Sequence, residues 1–277
     1  MIGAVVVLYN PTKEEVNNIN TYKNRVSHTV IIDNSNVNNQ KMVDEIVFLS
    51  SNITYYSEQL NMGLAKAFNI GIDILHEIGC NWALLFDADS RLESDIITAY
   101  KEAMNKYGSE VAVFSPIHIF DRAKKIQYKG YRKVNWAKTS GCLYNCEIFK
   151  KQNGFKEELF VDGLDMDYCY KVREKGYKII EVEAAKINHF PAISKVVEIG
   201  NKVILKYGYA SPWRYYMQAR ALIWLILRYK SYKDIVTYLY KWFKVLCLFD
   251  NKVEFMKQMV KGSRDGICLW CEYKSGK

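Results

Sequence analysis

The chain has 277 residues, 49% hydrophobic and 25% charged, with only 4 prolines and 15 glycines. A chain of this length buries roughly three-quarters of its unfolded surface and needs no disulfide or metal staple, and its composition excludes disordered, collagen-like and Pro-rich classes. The net charge of +9 sits at one end: residues 201–277 hold 15 Lys and Arg against 5 Asp and Glu, leaving 24 against 25 for residues 1–200, a balance that argues against nucleic acid and for an anionic membrane surface or anionic ligand.

In chain order, Met1 leads straight into the valine-rich run Gly3–Tyr9, with no positive leader segment. This run predicts a strand buried on both faces rather than a signal peptide. Pro11–Glu15 opens a helical stretch expected to reach Val26. Thr29–Asp33 predicts a second strand, residues 39–47 a polar helix and Ile53–Tyr56 a third strand. Leu64, Ala67, Phe68, Ile72 and Leu75 recur at helical spacing, with Gly79 as the stop signal. Trp82–Phe86 predicts a fourth strand, residues 93–107 a helix and Val111–Ser115 a fifth strand. Hairpin-like pieces follow around 126–134 and 142–145, then a helix over Asp165–Lys175 and a strand over Lys178–Ile187. From about 211 the pattern becomes helical, basic and aromatic. No run reaches about 18 apolar residues, so no membrane-spanning helix is expected.

This alternation predicts an α/β fold, a mostly parallel doubly wound sheet of Rossmann-like type with a helical C-terminal extension. The expected division is a catalytic domain over 1–210 and a basic aromatic extension over 211–277. Ligands of such sheets bind outside the carboxyl ends of the strands. There the pattern places Asn10, Asp33 and the pair Asp87 and Asp89.

Asp87-Ala88-Asp89 sets two carboxylates around one small residue at a strand end, oxygen donors suited to magnesium or manganese bridging to a diphosphate. A solvated turn with helix-capping acids fits the same residues. Asp33 suits a nucleotide contact or a turn in Asp33–Asn36. Asn61 through Gly71 opens a helix with small residues, for a ligand or for packing, with Asn61 as a candidate cap. Asp162, Asp165 and Asp167 crowd three acids at a helix start. The macrodipole favours them there, and mutual repulsion suits one of them to general base work. His189 ends a strand and offers a metal ligand or a plain surface histidine. Arg214 and Arg220 flank aromatics, and arginine forks suit diphosphate oxygens; a basic lipid-facing or solvated helix is the alternative. Ile235, Leu239, Trp242, Leu246 and Phe249 recur at helical spacing among lysines, as in an interfacial helix or one packed on the catalytic domain. The seven cysteines are odd in number and irregular in spacing, which predicts free thiols rather than a zinc site or a disulfide framework.

Taken together, Val5–Asn10, Ile32–Ser35, Asn61-x-Gly63-Leu64-Ala65, Phe86–Ser90, Thr139–Gly141 and Phe160–Asp167 resemble, in order, inverting glycosyltransferases of family 2 with the A-type fold. His189, Arg214-x-Tyr216-x-x-x-Arg220 and Lys261–Gly266 continue the likeness, which is greatest to the bacterial rhamnosyltransferase-like branch. The resemblance implies a nucleotide-sugar donor, a glycan or lipid-linked acceptor, and Mg2+ or Mn2+ as cofactor. It implies donor contacts from Tyr9, Asn10, Asp33, Asn61, Gly63, Asp87, Ala88, Arg214, Tyr216 and Arg220. Metal ligation falls to Asp87, Asp89 and His189, acceptor contacts to Ser140, Gly141, Asp162 and Asp167, and the catalytic base to Asp165. The chain departs from many relatives with Asp167 in place of Glu, Tyr168 in place of Trp and Ala221 in place of Asn, and also at Arg264 and the short tail. A deoxythymidine-diphosphate-rhamnose donor is expected, with a UDP-hexose donor or a non-catalytic membrane-surface scaffold as alternatives. A sugar nucleotidyltransferase would want a Gly-rich basic loop after the first strand, which Tyr9-Asn10-Pro11-Thr12 does not supply. The expected location is cytoplasmic, peripheral on the inner face of the plasma membrane.

Overall fold

The computed structural model describes residues 1–92, 95–119, 128–188, 193–200 and 202–276. The chain separates into two compact units, one of Met1–Lys156 with Tyr168–Phe190 and one of Glu157–Asp167 with Pro191–Lys277. This division differs from a boundary at 210, because residues 157–167 and the segment before 211 group with the C-terminal helices.

The first unit holds β1 (Ile2–Leu8), α1 (Lys13–Asn18), β2 (His28–Asp33), α2 (Gln40–Val47), β3 (Ile53–Ser57), α3 (Leu64–Glu77) and β4 (Trp82–Asp87). These are followed by α4 (Ile96–Tyr107), β5 (Val111–Ile119), β6 (Tyr131–Lys133), β7 (Leu143–Asn145) and α5 (Cys146–Lys151). Helix α6 (Leu164–Glu174) precedes β8 (Lys178–Asn188). The sheet order is β3-β2-β1-β4-β7-β5-β8-β6. Strands β3, β2, β1 and β4 pair in parallel, as do β5 and β8, while β7 and β6 pair antiparallel to their neighbours. The carboxyl ends of β1, β2, β3, β4, β5 and β8 therefore share one edge.

Strand β1 is buried along its whole length, as its valine run predicts. Ala4, Val6 and Leu8 join Tyr22, Ile31 and Phe86 in one core. The Tyr22 and Phe86 rings stack at 4.2 Å, and full burial of each such side chain contributes about 1.5–3 kcal/mol. On the other face a Cβ on Gly71 of α3 would meet Val5 at 2.3 Å, so that helix lies close on the sheet because Gly71 has no side chain.

Three local expectations change. The helix expected to reach Val26 stops at Asn18 and continues as short 3-10 turns over Ile19–Thr21 and Lys23–Arg25. Its Asn- and Thr-rich sequence diverts backbone groups, as when Thr21 donates to the Asn18 carbonyl at 2.6 Å. Residues 126 and 127 lie outside the described residues; among the described ones the pieces read as hairpin-like pair elsewhere, β6 with β8, and β7 between β4 and β5. Helix α4 starts at Ile96 with Asp95 accepting from the Thr98 amide; residues 93 and 94 lie outside the described residues.

The second unit holds the antiparallel pair β9 (Ile193–Ile199) and β10 (Lys202–Tyr209), then α7 (Pro212–Tyr229), α8 (Tyr232–Leu248) and α9 (Lys252–Lys274). Ser211 caps α7 ahead of Pro212, and Ser231 caps α8. Tyr207, Tyr215, Ala219, Val245, Phe249, Phe255 and Met259 form its core. Helix α9 approaches the α7 backbone through two glycines. A Cβ on Gly262 would lie 2.2 Å from the Tyr216 carbonyl oxygen, and one on Gly266 2.6 Å from that of Arg220. Among the described residues no helix is long and apolar enough to cross a membrane, and all seven cysteines are free thiols.

Candidate active site

The loops after β1 and β2 and the start of α3 are tied together at the carboxyl edge of the sheet. Asn10, in a left-handed conformation at φ 47°, donates its amide to Ser35 Oγ at 2.7 Å. Asn34 accepts from the Met62 amide at 2.8 Å and donates to Asn61 Oδ1 at 3.1 Å. Asn61 also accepts from the Gly63 amide, and the helix cap is Gly63 at φ 85° rather than Asn61. A positive φ there is what a glycine permits. Tyr9 is exposed beside Asn10.

Asp33 closes β2 with its side chain fully buried. Its Oδ2 accepts from the Tyr55 hydroxyl at 2.5 Å and from the Asn39 amide and side chain at 3.0 Å, and Oδ1 accepts from the Ser35 amide at 3.2 Å. Burial by itself would raise its pKa, but the bonds from Ser35, Tyr55 and Asn39 outweigh burial and hold the carboxyl below its ordinary value. In this conformation the carboxylate shapes the loop of residues 34–39.

At the end of β4, Asp87 is half-buried and Asp89 exposed. The Ser90 amide donates to the Asp87 carbonyl at 3.0 Å, and Asn18 of α1 donates to the Ala88 carbonyl at 3.2 Å. Surrounding protein, with the carboxylate of Glu15 adding repulsion, pushes the Asp89 carboxyl above its ordinary value. Ser90 Oγ lies 2.6 Å from Ser140 Oγ, and the Gly141 amide donates to the Leu85 carbonyl at 2.7 Å. The expected acceptor residues Ser140 and Gly141 thus adjoin the Asp-x-Asp turn. A Cβ on Gly141, at φ 74°, would meet Ile187 and Pro116 at about 3 Å. Asp87 and Asp89 set two hard carboxylates at one turn, and such oxygen donors fit a divalent cation. Among the described residues no group of three ligating side chains is gathered, and His189 lies outside the described residues.

The sequence reading passed over several residues here. Glu15 accepts the Thr12 amide at 2.7 Å in a capping box, a Thr-x-x-Glu spacing legible in the sequence. His118, near the end of β5, has Nε2 2.7 Å from the Ser140 carbonyl. Nothing in the local sequence signals that contact, which depends on the pairing of β5 and β7.

In the second unit the acid cluster and the arginine helix meet. Arg214 donates to Asp162 Oδ1 at 2.8 Å. Burial pushes the Asp162 carboxyl above its ordinary value despite the opposing pull of Arg214 and Lys241. Burial likewise lowers the Lys241 ammonium, which donates to Gln218 at 2.6 Å. Two cations thus accompany one carboxylate. Asp167 is buried and accepts from the Trp224 indole at 2.6 Å and the Tyr229 hydroxyl at 3.0 Å, tying the start of α6 to α7. Asp165, half-buried, accepts from the Met166 amide at 2.8 Å. Arg220 donates to the Glu158 carbonyl, and the Tyr216 hydroxyl donates to Asp265 at 2.8 Å. Phe160 is held left-handed at φ 64°, uncommon for a bulky residue, with its ring edge-on to Trp213. A Cβ on Gly163 would meet that of Ala221 at 2.7 Å, so Ala221 packs where the family usually has Asn.

The profile of the family "Glycosyl transferase family 2" matches residues 13–161. The dTDP-rhamnosyl transferase RfbF of Shigella flexneri is 28% identical over 295 residues, 96% of this chain and 95% of that protein. Among solved structures, GalNAc-T7 with UDP, GalNAc and Mn2+ aligns at a TM-score of 0.62 and 13% identity over 99% of this chain and 57% of its own. This chain therefore spans little more than half of that protein. S. aureus TarS 1-349 in complex with UDP aligns at 0.54 and 13% identity, covering 100% of this chain and 92% of its own. At these identities the structural likeness establishes the fold, and it is the fold that the sequence predicts.

Proposed function

The chain belongs to glycosyltransferase family 2 and is a nucleotide-sugar glycosyltransferase, and from that premise we propose an inverting, single-displacement transfer of rhamnose to a hydroxyl of a cell-surface or lipid-linked glycan. Support for the sugar is the likeness to a dTDP-rhamnosyl transferase along nearly the whole chain. The observation that carries the donor site is the convergence of Asn10, Asp33, Asn61 and the Asp87-Ala88-Asp89 turn on the carboxyl edge of the parallel strands.

In this reading Tyr9, Asn10, Asp33, Asn61, Gly63 and Ala88 receive the nucleoside end of the donor. Asp87 and Asp89, with His189, would hold Mg2+ or Mn2+, which would neutralise charge on the leaving diphosphate. Arg214, Tyr216 and Arg220 serve the same diphosphate, and the excess of cations around Asp162 supports that role. Ser140, Gly141, Asp162 and Asp167 position the acceptor or the base. Asp165 takes the proton from the acceptor hydroxyl as that oxygen bonds to the anomeric carbon and the carbon–oxygen bond to diphosphate breaks. We also place the enzyme in the cytoplasm, peripheral on an anionic membrane, on the strength of its basic aromatic tail.

A donor panel read by product chromatography tests the reading. Turnover with dTDP-rhamnose is expected, and Asp165→Asn lowers it about 10²–10⁴-fold with an unchanged circular dichroism spectrum. Turnover with a UDP-hexose and none with dTDP-rhamnose removes the sugar assignment. Undiminished transfer by Asp165→Asn removes the base.

A further inference from the structure

Helix α8 leaves a row of large apolar side chains in water. An amphipathic helix on a water-soluble surface turns its apolar side inward. Here the inward side mixes Asp234 and Lys244, only 2% and 6% exposed, with Val245 at 0%, while Val236, Leu239 and Phe243 are 62%, 58% and 49% exposed. The inward polar groups are used. Lys244 donates to the Gly208 carbonyl at 3.0 Å, Lys241 to Gln218 at 2.6 Å, and the Tyr238 hydroxyl lies 2.7 Å from Ser263 Oγ. The docked side of α8 is therefore part polar and part apolar, with Val245 in the core, and the side left to water carries a row of aliphatic and aromatic groups.

The exposed charges of the C-terminal helices choose its occupant. On α8 and α9 the exposed cations are Lys233, Lys252, Lys257, Lys261, Arg264 and Lys274, against exposed Glu272 and, in the loop between the helices, Asp250. Val253, Met256 and Val260 of α9 share a groove of about 460 Å³ with Lys257, Lys261 and Arg264. A second copy of the chain would bring like charges together around its apolar contact. An anionic lipid leaflet accepts the aliphatic row and neutralises the cations.

We propose that the exposed face of α8 inserts into the interfacial layer of an anionic lipid membrane, with the lysines and arginine of α9 supplying the attraction. This rests on the reading that the enzyme works at a membrane, and it assigns the face that does so.

The test is co-sedimentation of the full chain with phosphatidylcholine vesicles and with equimolar phosphatidylglycerol–phosphatidylcholine vesicles. Transfer to a water-soluble acceptor and light scattering are followed in parallel. Wild type should pellet at least about tenfold more with the anionic vesicles. Leu239→Ser/Phe243→Ser should lose at least about tenfold of that binding while keeping its melting temperature and soluble-acceptor transfer. Lys252→Glu/Lys257→Glu should lose the preference for anionic vesicles. If wild type ignores both vesicles, the membrane reading fails, while transfer to the soluble acceptor still reports separately on the glycosyltransferase. If wild type binds and the α8 variant binds equally, the face is wrong and the membrane reading stands. A wild-type dimer that the α8 variant dissociates, without vesicle binding, gives the face to a second copy.

Discussion

Asp33 shows how a buried carboxylate can hold a loop at the edge of a sheet. It is buried, yet its charge is favoured, because donors from Ser35, Asn39 and Tyr55 outweigh the loss of water. A group whose folded pKa lies below its unfolded one contributes stability above the unfolded value and loses it as pH falls through the folded value. Asp33→Asn places an NH2 among groups that need an acceptor. It should cost about 1–3 kcal/mol at neutral pH. The difference from wild type should shrink as pH drops below the ordinary carboxylate range. Urea denaturation of both proteins across a pH series reads this directly. A difference that stays constant into strong acid would mean that the ionised carboxylate is not what the loop requires.

At the scale of elements, the arginine helix α7 is held by backbone proximity as much as by side chains. Gly262 and Gly266, one turn apart on α9, face the carbonyls of Tyr216 and Arg220. A Cβ at 2.2 Å from a carbonyl oxygen has no flexible neighbour to displace, so the helices must move apart. Gly262→Val should therefore destabilise the protein by about 1–3 kcal/mol or more. It should also lower transfer through displaced Tyr216 and Arg220, raising the KM for donor. Thermal denaturation and steady-state kinetics separate these effects, and a variant with wild-type values for both would show that the close approach has no bearing on the site. Asp167 makes the complementary tie from α6 to α7 through Trp224 and Tyr229.

For the whole molecule, the central electrostatic problem is a diphosphate that gains charge as the sugar leaves. The first unit presents carboxylates at its strand ends, an arrangement that would repel a diphosphate without a cation. Exhaustive dialysis against EDTA should lower transfer by at least about 10²-fold, and Mg2+ or Mn2+ should restore it. Asp89→Ala should raise the metal concentration needed for half-maximal rate. Full activity in EDTA would leave stabilisation of the leaving group to the arginines and lysines alone.

The order of strands and helices was legible because valine-rich runs, helical spacing and Gly stops act over a few residues at a time. The short strands β6 and β7 were read as hairpin pieces, since three-residue strands owe their form to partners distant in the chain, and the helix α5 and the pair β9–β10 were not read at all. The sequence by itself determined the parallel α/β architecture, the acids at the strand ends and the family likeness, because all three are written in local periodicity and motif order. Only the tertiary structure decided that Asp33 is enclosed by its own loop and that Asp162 and Asp167 are bound to α7. Only it showed that α8 buries Asp234 and Lys244 beside Val245 and leaves Val236, Leu239 and Phe243 in water. Those outcomes depend on which surfaces meet after the chain closes, and a helical period alone does not say which side of a helix finds a partner.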